Sequence, residues 1–274
     1  KSAGSNRYAK MRFTIFGGRG FIGAAIARHL QEKGYEVYLP SRSDSFDNLK
    51  SELGHVIYCI GLTGDFRVRP FETVEAHICK LASLLKTSNF DSWLYLSSTR
   101  IDSGIDSIAK ESARWSGFPD ADGIYDISKL LGESLCLSLK NEKIRVARLS
   151  NVYGEGQSTS TFLGSIIDDV KKGKTVIINE SPDSRKDYIS VVDVINILVK
   201  IAISGKDRLY NVAAGVAIRH YDIASVIEEV SNIPVIFKSG AQKRIFPDID
   251  ISKIQQEFGF SPCLLLNELP ILLN

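Results

Sequence analysis

Residues 17–23 read GGRGFIG, between the apolar run Phe13-Thr14-Ile15-Phe16 and an apolar-periodic segment from Ile22 to Leu30. A glycine loop that leaves a strand and opens a helix has a mechanical purpose. Gly17 makes the tight turn, Gly20 lets backbone approach a pyrophosphate, and Gly23 lets helix and strand pack closely. The helix start adds unpaired N–H groups and a partial positive charge. The stretch predicts a dinucleotide site lined by Gly17, Arg19, Gly20, Phe21, Ile22 and Gly23, with a plain tight turn as the alternative. The turn does not require Arg19, so its charge needs a separate reason.

Around the loop, short β-branched runs alternate with helical patterns. Strands are expected at 13–16, 35–39, 56–60, 93–96 and 144–149. Helices are expected at 21–33, ended by Gly34, from Pro70 onward, and at 124–140. In the second of these, Val74, Ile78, Leu81 and Leu85 form one apolar face. Nearly all-apolar strands alternating with helices mean an α/β fold, a doubly wound Rossmann-type parallel sheet covered on both faces. Ligands then bind at the carboxyl ends of the strands. That rule makes Cys59, Ile60, Gly61 and Ser150 candidate cofactor contacts. The second half is less regular, with helices expected at 161–170 and 191–203 and strands at 175–178 and 209–212. The expected division is a dinucleotide-binding domain over 11–155 and about 187–212. A smaller C-terminal α/β substrate-binding domain takes about 156–186 and 213–274. Residues 1–10, before the single Met11, are expected to be a leader outside the fold.

The second strand ends in YLPSRSD. A cofactor with a free 2′-hydroxyl usually meets an acid there. Here Ser41 and Arg42 stand in that place, and Asp44 follows in the loop. Arginine forks onto phosphate with two charge-assisted bonds. Arg42, with Arg19, points to the 2′-phosphate of NADP(H); NAD(H) and two solvated arginines are the alternative.

Composition narrows the partners. The net charge over 274 residues is +2 with no basic block, which argues against nucleic acid. The four cysteines form no C-x-x-C pair, and the four histidines lack ligand spacing, so no metal site is expected. No apolar stretch approaches the ~18 residues of a membrane span, and no signal peptide opens the chain. A reducing, cytoplasmic setting is expected.

YDISK places Tyr125 and Lys129 at i and i+4 on one helix. By the 100° step, Ile127, Leu131 and Leu135 lie on the opposite side, so the polar pair is expected to face away from the core. Gly132 and Cys136 leave room along the polar face. With 10 Tyr and 19 Lys, about 0.7 such matches arise by chance, so the pair needs context. Ser98 and Thr99, ending the strand in LYLSSTR, supply it. An ammonium beside a phenol lowers its pKa toward working pH, where acid–base catalysis is most efficient. Ser98 can hydrogen-bond a substrate oxygen that changes charge, and Lys129 can hold a ribose.

With these motifs, the chain resembles the extended short-chain dehydrogenase/reductase family of nucleotide-sugar epimerases, dehydratases and ketoreductases. The likeness runs from Met11 to about Pro262. GGRGFIG, YLSST, YDISK with Glu133, RLSNVYGEG, RKDYISVVDV and DIDISKIQQEFGFSP carry it. The resemblance implies that Tyr125 is the acid/base, Lys129 its partner and Ser98 the third member. It also implies that Asn151 contacts a nucleotide diphosphate, together with Arg185 or Lys186. The family's dehydratases carry an Asp–Glu pair after the catalytic hydroxyl, and its epimerase-reductases a Cys; here Thr99 and Arg100 follow Ser98, and Asp102 replaces a Tyr. What remains is hydride transfer at C4 of a nucleotide sugar. Either NADPH-dependent keto reduction or an NAD-dependent 4-epimerisation fits, and a non-catalytic NAD(P) sensor is the remote alternative. Arg19 resembles an arginine of NADPH-dependent GDP-sugar reductases and favours reduction. Relatives dimerise through the helices that correspond here to 70–88 and 124–140, so a homodimer is expected.

Overall fold

Every other residue of Trp93, Leu94, Tyr95 and Leu96 turns to the opposite face of a strand, and all four are buried. That requires a sheet covered on both sides. The computed structural model describes residues 11–41, 44, 52–62, 64–102, 108–113 and 119–274. Its strands are β1 (Arg12–Phe16), β2 (Glu36–Tyr38), β3 (His55–Tyr58), β4 (Ser92–Ser98), β5 (Ile144–Leu149), β6 (Asn151–Tyr153), β7 (Val176–Ile178), β8 (Arg185–Ser190), β9 (Leu209–Val212), β10 (Ala217–Arg219) and β11 (Val235–Phe237). Its helices are α1 (Phe21–Glu32), α2 (Pro70–Val74), α3 (Lys80–Thr87), α4 (Gly123–Ser138), α5 (Phe162–Lys171), α6 (Val191–Ser204), α7 (His220–Ser231), α8 (Ser252–Phe258) and α9 (Leu265–Leu273).

Six strands form one parallel sheet in the order β2-β1-β3-β4-β5-β9. The chain leaves β1 for β2 on one side and returns to β3 on the other, so the order reverses beside β1. A crevice opens at such a reversal. Leu94 and Leu96 pack with Ile26, Leu30 and the α6 residues Val194, Ile197 and Leu198. Ile249, Ile251 and Ile254 join the same cluster. Trp93 and Tyr95 face the other way, onto Tyr58, Leu81, Leu84 and Cys136. This is the Rossmann-type doubly wound architecture expected from the strand–helix alternation.

A second core stands over the carboxyl edge of the sheet. It joins Tyr153, Leu163, Ile166, Tyr188, Ile223 and Leu269, with α5, α7 and α9 around two small sheets, β10-β8-β6 and β11-β7. Local chemistry fixes the ends of its helices and of neighbouring α6. Thr161 accepts the Gly164 N–H at the start of α5, Ser190 accepts the Asp193 N–H at α6, and Asn232 closes α7 at φ 57°.

The helix opened by Pro70 departs from expectation. Residues Glu75–Cys79 form a π turn between α2 and α3. The extra residue rotates the face: Thr73, Ala76 and His77 are buried, while Val74 is exposed. Leu81 alone of the expected quartet is fully buried. Among the described residues, no helix is long and apolar enough to cross a membrane. Nor is any group of three or more His, Cys, Asp or Glu arranged to hold a metal ion.

Candidate active site

The glycine loop is built for close approach. Gly17 has φ +81°, and a Cβ there would lie 2.9 Å from the Cys59 carbonyl carbon. A Cβ on Gly23 would lie 2.3 Å from the Gly17 carbonyl oxygen. Gly20 differs. Its Cβ would meet only that same oxygen, at 3.4 Å, so its outer side is open. α1 begins at Gly20 with no side-chain cap, leaving its first N–H groups available. An uncapped helix start behind an open glycine is a cradle that fits a pyrophosphate.

Arg19 is exposed beside this loop, and Arg42 lies outside the described residues. Ser41 and Asp44 show how β2 ends. Asp44 folds back, accepting the Ser41 N–H at 2.8 Å, the Ser41 hydroxyl at 2.7 Å and the Tyr38 hydroxyl at 3.2 Å. These bonds, with a smaller contribution from Arg19, hold its carboxyl below the usual range. An acid therefore does stand at this strand end, just past Ser41 and Arg42 in the sequence.

A cavity of about 480 Å³ opens where β3, β4 and β5 end. It brings together Phe21, Ile22, Cys59, Gly61, Ser98 and Thr99 with Tyr125, Lys129, Ser150, Asn151 and Lys186. Gly17, Arg19, Gly20, Gly23, Ser41, Ile60 and Arg185 are not in its lining.

The helix α4 is turned opposite to expectation. Tyr125 and Lys129 are each only 6% exposed, whereas Leu131 is 53% exposed. The face carrying Tyr125, Ser128, Lys129, Gly132, Glu133 and Cys136 packs on the sheet. Its polar groups tolerate burial because they are paired. Lys129 Nζ donates to the Leu96 carbonyl at 2.8 Å, and Arg148 forks onto Glu133. The space beside Gly132 belongs to Tyr95, whose hydroxyl oxygen would sit 2.4 Å from a Cβ there. The charge balance also differs. Burial raises the Tyr125 phenol above its ordinary pKa, against opposing pulls from a Ser98 hydrogen bond and Arg100. Burial lowers Lys129 to about 8. Lys129 is not among the groups that pull Tyr125 down; its Nζ stands 6.0 Å from the ring centroid.

The facing wall comes from the second core. Lys186 leans over the Phe162 ring at 4.9 Å and donates to Glu180 at 2.9 Å. Burial, with Arg244 and Arg100 nearby, pushes its pKa down against Glu180. Arg185, its neighbour on β8, pairs instead with Asp248 at 3.9 Å. Asn151 donates to the Asp187 carbonyl at 2.8 Å. Several lining residues had no signal in the sequence. Phe66 packs against Tyr125 with ring centroids 5.1 Å apart and planes tilted by 45°, and Arg67, Phe162, Glu180 and Arg244 come from segments that meet only in three dimensions.

The family model described as the NAD dependent epimerase/dehydratase family matches residues 13–213. The chain belongs to that family. No curated protein sequence matches it. Among solved structures, MoeE5 in complex with UDP-glucose and NAD is 21% identical, covering 95% of this chain and 96% of that chain at TM-score 0.79. RMD from Pseudomonas aeruginosa complexed with NADPH is also 21% identical, covering 96% and 98% at TM-score 0.81. UDP-glucuronic acid 4-epimerase from Bacillus cereus, in complex with UDP-glucuronic acid and NAD, is 18% identical, covering 94% and 96% at TM-score 0.80. At these identities the likeness is one of fold. For this epimerase/dehydratase family member, the matched span runs through the whole large sheet and ends just past β9. It therefore includes the glycine cradle and the Ser98, Tyr125 and Lys129 cluster.

Proposed function

We propose that the protein is an NADPH-dependent reductase of the C4 keto group of a nucleotide-linked sugar or deoxysugar. The observation that carries this reading is Tyr125, buried beside Ser98 and held as a neutral phenol. A phenol kept protonated is the form that gives a proton, as keto reduction requires. The lining acids support the choice over elimination. Glu180 is tied to Lys186, and Asp187 accepts the N–H groups of Ala214 and Val216. Arg100, two residues past Ser98, is tied to Asp126 at 3.0 Å.

The residues divide the work. NADPH, when bound, supplies the hydride that reaches C4. Ser98 holds the carbonyl oxygen, and Tyr125 transfers its phenolic proton to that oxygen as it becomes a hydroxyl. Lys129 keeps donors beyond the one given to Leu96, and they suit the ribose hydroxyls. Lys186 is the diphosphate ligand of choice, since it lines the cavity and Arg185 does not. Arg244, Arg100 and Asn151 complete an anion-favouring wall. The exposed Phe71 of α2 and Leu131 of α4 lie on the two helices expected to pair in a homodimer.

A second reading, an NAD-dependent 4-epimerase, is favoured by Asp44, whose carboxylate at the end of β2 suits a ribose 2′-hydroxyl. One titration separates the two. The reductase binds NADPH at least about tenfold tighter than NADH, roughly 1.4 kcal/mol, and Arg19→Ala or Arg42→Ala removes most of that preference. Equal affinities overturn the reductase. A screen of 4-keto nucleotide sugars, followed by NADPH absorbance, then identifies the substrate.

A further inference from the structure

His77 is a fully buried titratable side chain that touches the Tyr125 and Lys129 cluster without a part in the chemistry described so far. It sits in the π turn, 0% exposed. Its ring meets the Tyr125 ring edge-on at 5.3 Å. Its two nitrogens reach different elements. Nε2 accepts the Leu62 N–H at 3.3 Å, in the loop that follows β3. Nδ1 lies 2.7 Å from the Ser128 hydroxyl, which donates at 3.0 Å to the Tyr125 carbonyl.

The tautomer follows from these partners. A backbone N–H only donates, so Nε2 carries no proton. The Ser128 proton is committed to the Tyr125 carbonyl, so Nδ1–H donates to Ser128. Burial and the neighbouring Lys129 push the imidazole pKa down to about 2, which keeps the ring neutral. A Cβ added to Gly61 would lie 3.2 Å from His77 Nε2 and 3.3 Å from Lys129 Nζ. The cavity-lining loop is thus seated directly on the imidazole and the lysine.

We propose that His77 is a positioning residue that sets two distances at once, by two separable bonds. Through Nε2 it fixes the Cys59–Leu62 loop, the side of the cleft a dinucleotide would enter. Through Nδ1 and Ser128 it fixes the turn of α4 that carries Tyr125. The extra residue of the π turn is what delivers the ring inward; a regular helix would put position 77 on another bearing. This rests on the dinucleotide reading of the cleft.

Three variants of the full chain separate the bonds. His77→Asn places a donor near the Nδ1 position and no group near Nε2. His77→Gln places an acceptor near Nε2 and none near Nδ1. His77→Phe keeps the bulk and loses both. Affinities for NADPH and NADH are measured by fluorescence titration, and turnover with the keto nucleotide sugar that wild type reduces. The expected result is a split. The Asn variant loses about fivefold to tenfold in dinucleotide affinity, the worth of one hydrogen bond, with turnover at saturating cofactor nearly kept. The Gln variant keeps the affinity and loses turnover by a similar factor, and Phe loses both. Asn and Gln variants that each move both quantities together, or only the melting temperature, overturn the proposal and make His77 packing. Wild type that binds neither dinucleotide overturns the functional reading itself. Wild type that binds one but reduces no keto sugar overturns the reductase alone, since the affinity arm still decides His77.

Discussion

Gly23, packed behind the glycine loop, and Lys186, in the cavity wall, shape the site by opposite means. On the glycine side, what matters is the missing side chain: a Cβ at Gly23 would come within 2.3 Å of the Gly17 carbonyl oxygen. On the facing side, what matters is a side chain already held in place, Lys186 between Glu180 and the Phe162 ring. Backbone shape serves any dinucleotide, because every one has the same pyrophosphate. Side-chain charge, in the proposed reading, holds the diphosphate of a nucleotide sugar. The two sides also fail differently, since a clash cannot be relieved by solvent, whereas a lost charge can be partly replaced by water.

The largest expected effect lies between them. Tyr125→Phe lowers turnover by about 10²–10⁴-fold while leaving dinucleotide affinity intact, because it removes the proton-donating hydroxyl and keeps the ring. Unchanged turnover would end its role as proton donor. Next comes Gly23→Ala, which costs roughly 1–3 kcal/mol in overpacking and weakens dinucleotide and fold together. If melting temperature and NADPH affinity both stay at wild-type values, the close-packing account of the glycine side fails. Lys186→Met should weaken nucleotide diphosphate binding by about tenfold, in the range of one charged hydrogen bond, without touching dinucleotide affinity. Arg185→Met serves as its control; a larger loss at Arg185 would exchange their roles.

Two pH effects are smaller. Lys129, lowered to about 8, loses its charge well before a free lysine does, so reduction slows as pH rises through about 8. A profile flat up to the pKa of free lysine would mean that the charge is not used. Asp102, 2% exposed and 3.8 Å from Arg148, has its pKa raised by burial to about 6. Between the unfolded value near 4 and about 6, the folded state binds the extra proton, so this group withdraws stability as pH rises. Asp102→Asn should therefore remove a fall in melting temperature across that window. A fall that persists in the variant assigns it to another group.

The glycine side was legible because its rules are local. Three glycines after a strand and before a helix specify the backbone within seven residues. The Tyr125 and Lys129 pair was legible for the same reason. Its direction was not, because a helix whose buried face is polar looks inverted in a hydrophobicity pattern. Only the partners, the Leu96 carbonyl and Arg148, show why burial is tolerated. The π turn was hidden because no residue type marks it, and it rotates the helix by one inserted position. Asp44 was assigned to the loop from its place in the sequence, while its hydrogen bonds return it to the end of β2. Which of Lys186 and Arg185 lines the cavity was not readable from the sequence; strand alternation turns Lys186 into it, and Arg185 pairs with Asp248. Arg244 and Phe66 reach the cavity from irregular segments, where spacing along the chain carries no information about distance in space.

Gly132 has a consequence beyond its own contact. Tyr95 fills the place its side chain would take, with Cζ 2.6 Å and the hydroxyl oxygen 2.4 Å from a Cβ. Three residues earlier on the same helix, Lys129 reaches the Leu96 carbonyl on the same strand. The standoff between helix and strand is therefore gauged by an absence one turn away from the chemistry. Any side chain at position 132 forces either the Tyr95 ring or α4 to give way, and a shift of α4 carries the phenol and ammonium with it, like a shim under a bearing. Substrate preference in such a site can drift through a position that never meets substrate.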